Sequence, residues 1–415
     1  MGRLEGFRSF FVLWLGQAVS VFGSHLTAFT LGIWVYQLTG AATDYALIAV
    51  FGTLPSMLVA PFAGIAVDRW DRRNVMMLAD IGAALTSVLL IGLLTVGRLE
   101  VWHVYLVVIL SSTFNAFQVP AYMSSVTMMV PKEQFGRANG MMQLGDSMAR
   151  VGAPLLAGAL VAVIELQGIV MVDFATFLFA MVTLLLIRIP RPQASKSGKA
   201  AGGSLFRQAG FGWRYIAQRP GLLGLLLFLT LINLLLGVVL VLVPPLVLSF
   251  TSPAEVGIVL GVGGAGAVLG GILMSTWGGA RQKMRVVLGL APVLGLGLLI
   301  MGLRPSGPLV AFGYFVFFLV VPIINANNLA IWQAKVEPDV QGRVFAMRRL
   351  VMQASSPIAF LLAGPLADYV FEPLLAPGGP LTGSVGRAIG VGDGRGIGLL
   401  FIVMGFLLMV AAAAG

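Results

Sequence analysis

Long apolar segments recur along almost the whole chain, and they constrain the fold more than any other feature. Runs of roughly 18 or more residues, long enough to cross a bilayer as a helix, occur twelve times. They occupy approximately residues 9–36, 43–67, 75–96, 102–128, 137–163, 167–188, 221–250, 255–279, 286–303, 308–333, 341–370 and 397–414. With 58% apolar residues and a mean hydropathy of +0.97, a water-soluble globule is excluded. The runs are continuous rather than alternating, so the sequence predicts an all-α membrane protein of twelve transmembrane helices.

A polar stretch at residues 189–220 separates the first six runs from the last six. Its first half is rich in proline, serine, glycine and lysine, which is typical of a flexible tether. Its second half, 205–219, mixes aromatic side chains with arginines and predicts an amphipathic helix at the membrane surface. We therefore expect an N-terminal six-helix bundle over 1–188, a linker over 189–220 and a C-terminal six-helix bundle over 221–415.

The distribution of lysine and arginine predicts the orientation of the chain. If the N-terminus is inside, 21 of these residues lie in inner segments and four in outer segments, while Arg150 lies within a span. Because basic loops stay on the cytoplasmic side, this bias predicts that both termini and the linker are cytoplasmic. We expect a multi-pass protein of the inner (plasma) membrane.

A short charged loop joins the second and third runs. Residues 64–73 read GIAVDRWDRR, with two acids and three arginines in the last six positions. The pattern G-x-x-x-D-R-x-x-R-R at this place resembles the loop signature of the major facilitator superfamily. The resemblance implies a conformational latch made by Gly64, Asp68, Arg69, Arg72 and Arg73, with Arg343 at the start of span eleven. The alternative is a positive loop that only sets the topology.

The two halves of the chain repeat at an offset of 206 residues. Residues 133–137 read EQFGR and residues 339–343 read DVQGR, and Gly64 corresponds to Gly270. Met274 stands where the first half has Asp68. A parallel duplication of six spans predicts two pseudo-symmetric bundles about an axis normal to the membrane, the geometry typical of this superfamily.

Residues of spans four and five narrow the resemblance to one branch of the superfamily. Residues 115–121 (NAFQVPA) and 137–140 (RANG) look like the drug/proton antiporter branch that holds macrolide and siderophore exporters. Span five continues with Gly152, Pro154 and Gly158 in the order G-A-P-x-x-A-G, which partly matches the antiporter motif G-P-x-x-G-G. These residues would let span five pack tightly and bend, and ordinary helix packing explains them equally well.

Ionisable residues within spans are costly in lipid and are therefore candidate coupling sites. Asp146 and Arg150 lie four residues apart on span five, so they share a helix face and can pair. His25 lies midway along span one, and an unperturbed histidine side chain titrates near neutral pH. We treat these three as proton-coupling candidates; a structural ion pair and a packing histidine are the alternatives. Asp80 and Asp173 have weaker claims, because spans three and six are peripheral in the family fold.

The family resemblance also implies that spans one, four, seven and ten line a substrate cavity. The candidate lining residues are Gln17, Ser24, Asn115, Gln118, Asn233, Asn325, Asn328 and Trp332. The rest of these spans is aliphatic and aromatic. An apolar cavity with scattered amides favours large, amphipathic, weakly charged compounds over sugars or phosphates.

Several classes of function are disfavoured. There is no P-loop pattern G-x-x-x-x-G-K-[ST], and the glycine-rich segment 261–266 lies inside span eight, where helix packing explains it. Two histidines and no cysteine argue against a metal centre, and we expect no cofactor. The net charge of +10 is spread over short loops, which argues against a nucleic-acid partner.

The sequence therefore predicts a secondary active transporter rather than an enzyme. The expected activity is proton-coupled efflux of hydrophobic or amphipathic small molecules, drug-, macrolide- or siderophore-like, by alternating access in a monomer embedded in the bilayer. An importer or symporter of a small organic solute would share the architecture. A non-transporting membrane scaffold or sensor is the remaining alternative.

Overall fold

The computed structural model describes residues 6–131, 134–187, 189, 205–277, 282–337 and 340–414. The regular elements in these ranges are all helical, which confirms the predicted fold class. The helices are α1 (Phe7–Thr39), α2 (Ala42–Arg69), α3 (Arg72–Thr95), α4 (Val101–Met129), α5 (Phe135–Leu186), α6 (Leu205–Ala217), α7 (Pro220–Leu248), α8 (Pro253–Trp277), α9 (Lys283–Leu303), α10 (Gly307–Lys335), α11 (Gln341–Pro365), α12 (Glu372–Leu375), α13 (Val385–Ile389) and α14 (Arg395–Ala414). A π-helical turn, Leu366–Phe371, connects α11 to α12.

The helix α5 contains two predicted spans. Its 52 residues would extend about 78 Å, more than twice the hydrocarbon core of a bilayer. The helix is broken at Glu165, whose φ of 55° and ψ of −178° are not helical. Among the described residues, eleven helices are long and apolar enough to cross a membrane, and the break gives α5 two crossings. The twelve predicted spans are thus confirmed. We call residues 135–164 the first arm of α5 and 166–186 the second arm.

The chain divides into two compact units. The first contains α1, α2 from Leu47 onward, and α3 to α5. The second contains residues 41–46, which form the start of α2, together with α6 to α14. The division falls between Ala194 and Ser195. Residues 190–204, the first half of the expected linker, lie outside the described residues.

Two apolar clusters stabilise the first unit, one near each end of α1. The cluster near its N-terminal end is built on Phe10 and Leu13, and the other on Leu31 and Val35. Both clusters bury side chains of α3, α4 and α5. The middle of α1, which carries the polar side chains, therefore lies between two apolar layers.

In the second unit, α9 packs closely against its neighbours through glycines. A Cβ atom on Gly302 would overlap the carbonyl oxygen of Gly398 in α14, and one on Gly295 would lie 2.7 Å from the carbonyl oxygen of Gly405. Glycine permits this backbone contact because it has no side chain. The same explanation holds for the glycine-rich segment of α8, where Gly263 lies against the ring of Tyr314.

The start of α2 is bound by an acidic side chain of the second unit. Asp368 lies in the π-helical turn and accepts hydrogen bonds from the backbone N–H groups of Ala42 (3.1 Å) and Thr43 (2.7 Å). It also accepts one from the Thr43 hydroxyl at 2.6 Å. Gly364, one turn earlier, leaves room for the backbone of Thr43. Asp368 thus supplies acceptors to the unpaired N–H groups of the first turn of α2.

The predicted amphipathic helix is confirmed as a helix, α6. Its Tyr215 hydroxyl donates to Glu337, which follows α10, and the Arg219 guanidinium lies 3.6 Å from Glu337 and over the Tyr215 ring. The hydrogen bond from Tyr215 holds the pKa of the Glu337 carboxyl below its ordinary value. These contacts fix α6 to the loop between α10 and α11.

Candidate transport and coupling site

The charged loop between α2 and α3 is anchored within the first unit. Asp71 caps α3 by accepting a hydrogen bond from the backbone N–H of Arg73 at 3.0 Å. The Arg73 guanidinium donates to the carbonyl oxygens of Leu184 (2.9 Å) and Leu185 (3.1 Å). These carbonyls belong to the last turn of α5, where a cation is favoured by the helix dipole.

The other expected latch residues are only partly described. The Arg72 guanidinium contacts the sulfur of Met128 at 2.8 Å. The side chains of Asp68, Arg69 and Arg343, and the surroundings of Gly64, are not among those that the structure describes. The latch therefore stays a prediction.

The three proton-coupling candidates lie near one another. Arg150 Nε is 2.9 Å from Asp146 Oδ2, and the two side chains are 67% and 42% exposed. His25 on α1 is close enough to both to be affected by their charges. The requirement of the Asp146–Arg150 pair for transport stays a prediction.

Two of the expected cavity residues bind a buried carboxylate instead of standing free. Gln118 Nε2 donates to Asp80 Oδ1 at 3.0 Å, and Gln17 Nε2 donates to Asp80 Oδ2 at 3.3 Å. Gln118 Nε2 also donates to Gln17 Oε1 at 2.7 Å. Asp80 is 4% exposed. From the sequence, Asp80 has a weaker claim than Asp146, and the signal that would have marked it is a carboxylate without a nearby basic residue on its own span.

Ser24, another expected cavity residue, faces the second buried carboxylate. Its hydroxyl lies 3.4 Å from Asp173 Oδ1, and the Ser87 hydroxyl lies 3.4 Å from Asp173 Oδ2. Asp173, on the second arm of α5, is 3% exposed. α1 approaches closely here, because a Cβ atom on Gly23 would lie 3.0 Å from Asp173 Oδ1.

The expected cavity residues of the second unit and Asn115 differ in burial. Asn328 and Trp332 are fully buried, and their side-chain polar atoms have no hydrogen-bond partner among the described residues. Asn233 and Asn325 line a small cavity between α7 and α10. Asn115, on α4, is exposed.

The antiporter-like motif lies on the first arm of α5. Pro154 and Gly158 are buried. A Cβ atom on Gly152 would lie 3.2 Å from the ring of Phe22 on α1. Gly152 therefore takes part in close packing between α5 and α1, and a coupling role for the motif stays a prediction.

Twelve helical spans with polar and ionisable side chains buried inside a bundle are typical of a membrane transporter. The sequence profile of the Major Facilitator Superfamily matches residues 13–360. The chain belongs to this superfamily, as the loop signature indicated. It is a multi-pass membrane transporter of small molecules and not an enzyme.

The similar curated proteins include exporters of drugs. Macrolide efflux protein A of Streptococcus pyogenes is 27% identical over 370 residues, which cover 87% of this chain and 90% of that protein. The multidrug efflux pump Tap of Mycolicibacterium fortuitum is 26% identical over 352 residues, covering 80% and 83%. These relatives confirm the resemblance to the drug-efflux branch.

Solved structures with the same fold include transporters of other kinds. A bacterial homologue of the human lysosomal transporter Spinster, inward-facing and unoccupied, matches with a TM-score of 0.71 and 16% identity over 98% of this chain and 95% of that one. The nucleoside transporter NupG matches with a TM-score of 0.70 and 15% identity over 98% of both chains. At these identities the likeness shows the fold alone.

Proposed function

We propose that this protein exports amphipathic small molecules of the macrolide class in exchange for protons, by alternating access. The observation that supports this most strongly is the similarity to macrolide efflux protein A along nearly the full length of both chains. The scattered amides on otherwise apolar spans suit such substrates, which carry much apolar surface and few charges. The chain has no P-loop, so a transmembrane ion gradient is the energy source that we propose.

An importer of a small organic solute is the second candidate. It is favoured by one observation: the nucleoside transporter NupG matches the fold with a TM-score of 0.70, close to the 0.71 of the Spinster homologue. The sequence relatives outweigh it, because they match at higher identity and are efflux proteins by name. We therefore keep export as the proposal.

The test is transport of a labelled macrolide into proteoliposomes with a known orientation of the protein. With the cytoplasmic side outward and an acidic lumen, an antiporter accumulates the macrolide inside as protons leave. A proton-coupled importer would instead move the solute out of the same vesicles. A protonophore should abolish the accumulation. Accumulation that ignores the pH gradient would refute proton exchange, and the absence of macrolide transport would refute the substrate class.

A separate prediction concerns orientation. The 21-to-4 distribution of lysine and arginine predicts that the linker and the C-terminus are cytoplasmic. Reporter fusions at Gly198 and after Gly415 should both give the cytoplasmic signal, and a fusion in the loop at Arg387 should give the opposite one. A periplasmic signal at Gly198 would contradict the predicted topology.

A further inference from the structure

Two carboxylates are buried inside the first unit along one polar seam. The seam consists of Gln17 and Ser24 on α1, Asp80 and Ser87 on α3, Gln118 on α4 and Asp173 on the second arm of α5. The α1 pair and the α3 pair are each seven residues apart, which is about two helical turns or ~10 Å. The Asp80 carboxylate and the side-chain amides of Gln17 and Gln118 lie at one level of the seam. The Asp173 carboxylate and the hydroxyls of Ser24 and Ser87 lie at the other level. The seam lies between the two apolar clusters of this unit.

Asp80 is surrounded by neutral groups. Its two oxygens accept from the amides of Gln17 and Gln118, and among the described residues it has no ion-pair partner within 4 Å. On α3 the nearest charge is Arg73, two turns away and bound to carbonyls of α5. The only acidic or basic residue of α4 is His103, in its first turn and 15 positions from Gln118; the other titratable residues of this helix are the phenols Tyr105 and Tyr122.

Asp173 has equally neutral surroundings. Its oxygens face the hydroxyls of Ser24 and Ser87, and no other charged residue occurs on the second arm of α5. The nearest titratable groups along the packed helices are His25, adjacent to Ser24, and Glu165, at the break of α5. His25 is affected by the charges of Asp146 and Arg150.

An ionised carboxylate in such a place is expensive. Removing its charge from water costs several kcal/mol when no cation compensates it, whereas the protonated acid avoids this cost. Each carboxylate can therefore bind a proton when its surroundings are dry and release it when water or a donor reaches it. Two groups of this kind, each facing a polar side chain of α1, have the surroundings that a pair of proton-binding sites requires.

We propose that Asp80 and Asp173 bind the protons that this transporter exchanges for its substrate, with Gln17 and Gln118 as positioning residues for Asp80. This assignment rests on the proton coupling proposed above. It places the proton sites inside the bundle and not at the exposed Asp146–Arg150 pair. The expected ligand is the proton.

The side-chain amides of Gln17 and Gln118 connect the protonation state of Asp80 to the positions of α1 and α4. The ionised carboxylate needs donors, which both amides now present. The protonated acid needs an acceptor for its own O–H, and Gln118 Oε1 is buried without a hydrogen-bond partner. Rotation of the Gln118 amide on proton binding would bring that oxygen to the acid. Protonation of Asp80 would therefore change the contacts between α1, α3 and α4.

The first experiment measures proton binding directly, without transport. Difference infrared spectroscopy of the purified full-length protein should show the C=O band of buried carboxylic acids, and addition of a macrolide should reduce it. Asp80→Asn and Asp173→Asn should each remove part of the band. Asp393→Asn, which removes an exposed outer carboxylate, should leave the band unchanged. A band that is identical in the wild type and the Asp80→Asn Asp173→Asn variant would overturn the assignment.

The second experiment measures coupling in proteoliposomes. One proton exchanged across a gradient of about one pH unit supports about a tenfold substrate gradient. Each single variant should therefore lower pH-driven accumulation by about tenfold, and the double variant should abolish it. Exchange of labelled for unlabelled macrolide at equal pH needs no net proton movement, so it should persist in the single and double variants. Its persistence would also show that these variants fold. Gln118→Glu should shift the pH profile of transport, because it places an acid beside Asp80.

The outcomes separate the two proposals. A wild-type protein that exchanges macrolide but ignores the pH gradient would refute the proposed proton coupling, and with it the role of both carboxylates. Normal pH-driven accumulation in the double variant would refute the carboxylate assignment alone. Accumulation driven by a sodium gradient and not by a pH gradient would show that the coupling ion is not the proton, and would overturn the inference.

Discussion

Gly302→Ala should lower the free energy of unfolding by about 3 kcal/mol, the upper part of the range for overpacked cores. Its new methyl group would overlap the carbonyl oxygen of Gly398 in α14. A flexible side chain can turn away from such a clash, but here the obstacle is backbone. The only relief is for α9 and α14 to separate, which also disturbs the contact of Gly295 with Gly405.

The same helix offers a matched control. A Cβ atom on Gly289 would meet nothing within 4 Å. Gly289→Ala should be neutral or stabilise the protein by up to about 1 kcal/mol, because alanine favours a helix more than glycine does. Thermal unfolding of both purified variants in one detergent, together with their monodisperse yield, compares them directly. Equal melting temperatures would show that α9 and α14 do not depend on this glycine contact.

Asp368→Ala should release the first turn of α2. The substitution removes the acceptor of the Ala42 and Thr43 N–H groups and of the Thr43 hydroxyl. Losing a helix cap typically costs about 0.5–2 kcal/mol, and bonds to a charged acceptor lie toward the upper value. A loss of about 2 kcal/mol corresponds to roughly 30-fold faster amide exchange in residues 42–46, if local opening controls exchange.

Hydrogen–deuterium exchange of the peptide that covers residues 42–46 provides the measurement. Tyr369→Ala is the matched control, because its side chain is 75% exposed and lies beside Asp368 in the same turn. Asp368→Asn should give an intermediate rate, since the amide keeps one acceptor oxygen. If exchange is equally slow in Asp368→Ala and the wild type, the cap does not hold this turn.

Much of the fold follows from the sequence, because hydrophobic length is a strong signal in membrane proteins. The twelve apolar runs correspond to the observed crossings, including the pair within α5, where Glu165 lies in the predicted gap. Several helices end one or two residues before the apolar run does, but most begin one to three residues ahead of it. The reason is that backbone hydrogen bonding continues into the interfacial region, where polar side chains are tolerated.

The site was less predictable, because side-chain partners depend on helix rotation. Gln17 and Gln118 were expected to face substrate, yet both hydrogen-bond to Asp80. The positions of spans three and six in the family fold suggested a minor role for Asp80 and Asp173. The burial of both carboxylates depends on which faces of α1 and α3 point into the bundle, and the sequence does not specify these faces. A carboxylate that lacks a basic residue one turn away on its own helix is the pattern that would have marked them.

The anchoring of Arg73 changes how mutagenesis of the charged loop should be interpreted. Arg73 is both a topology signal by charge and the donor to the last carbonyls of α5, just before the chain leaves the first unit. Poor transport by an Arg73 variant is therefore explained by unravelling of the end of α5 as well as by loss of the predicted latch. Genetic screens that group the loop arginines into one phenotype would combine two different defects. Asp68→Asn, with every arginine kept, separates gating from folding at this loop.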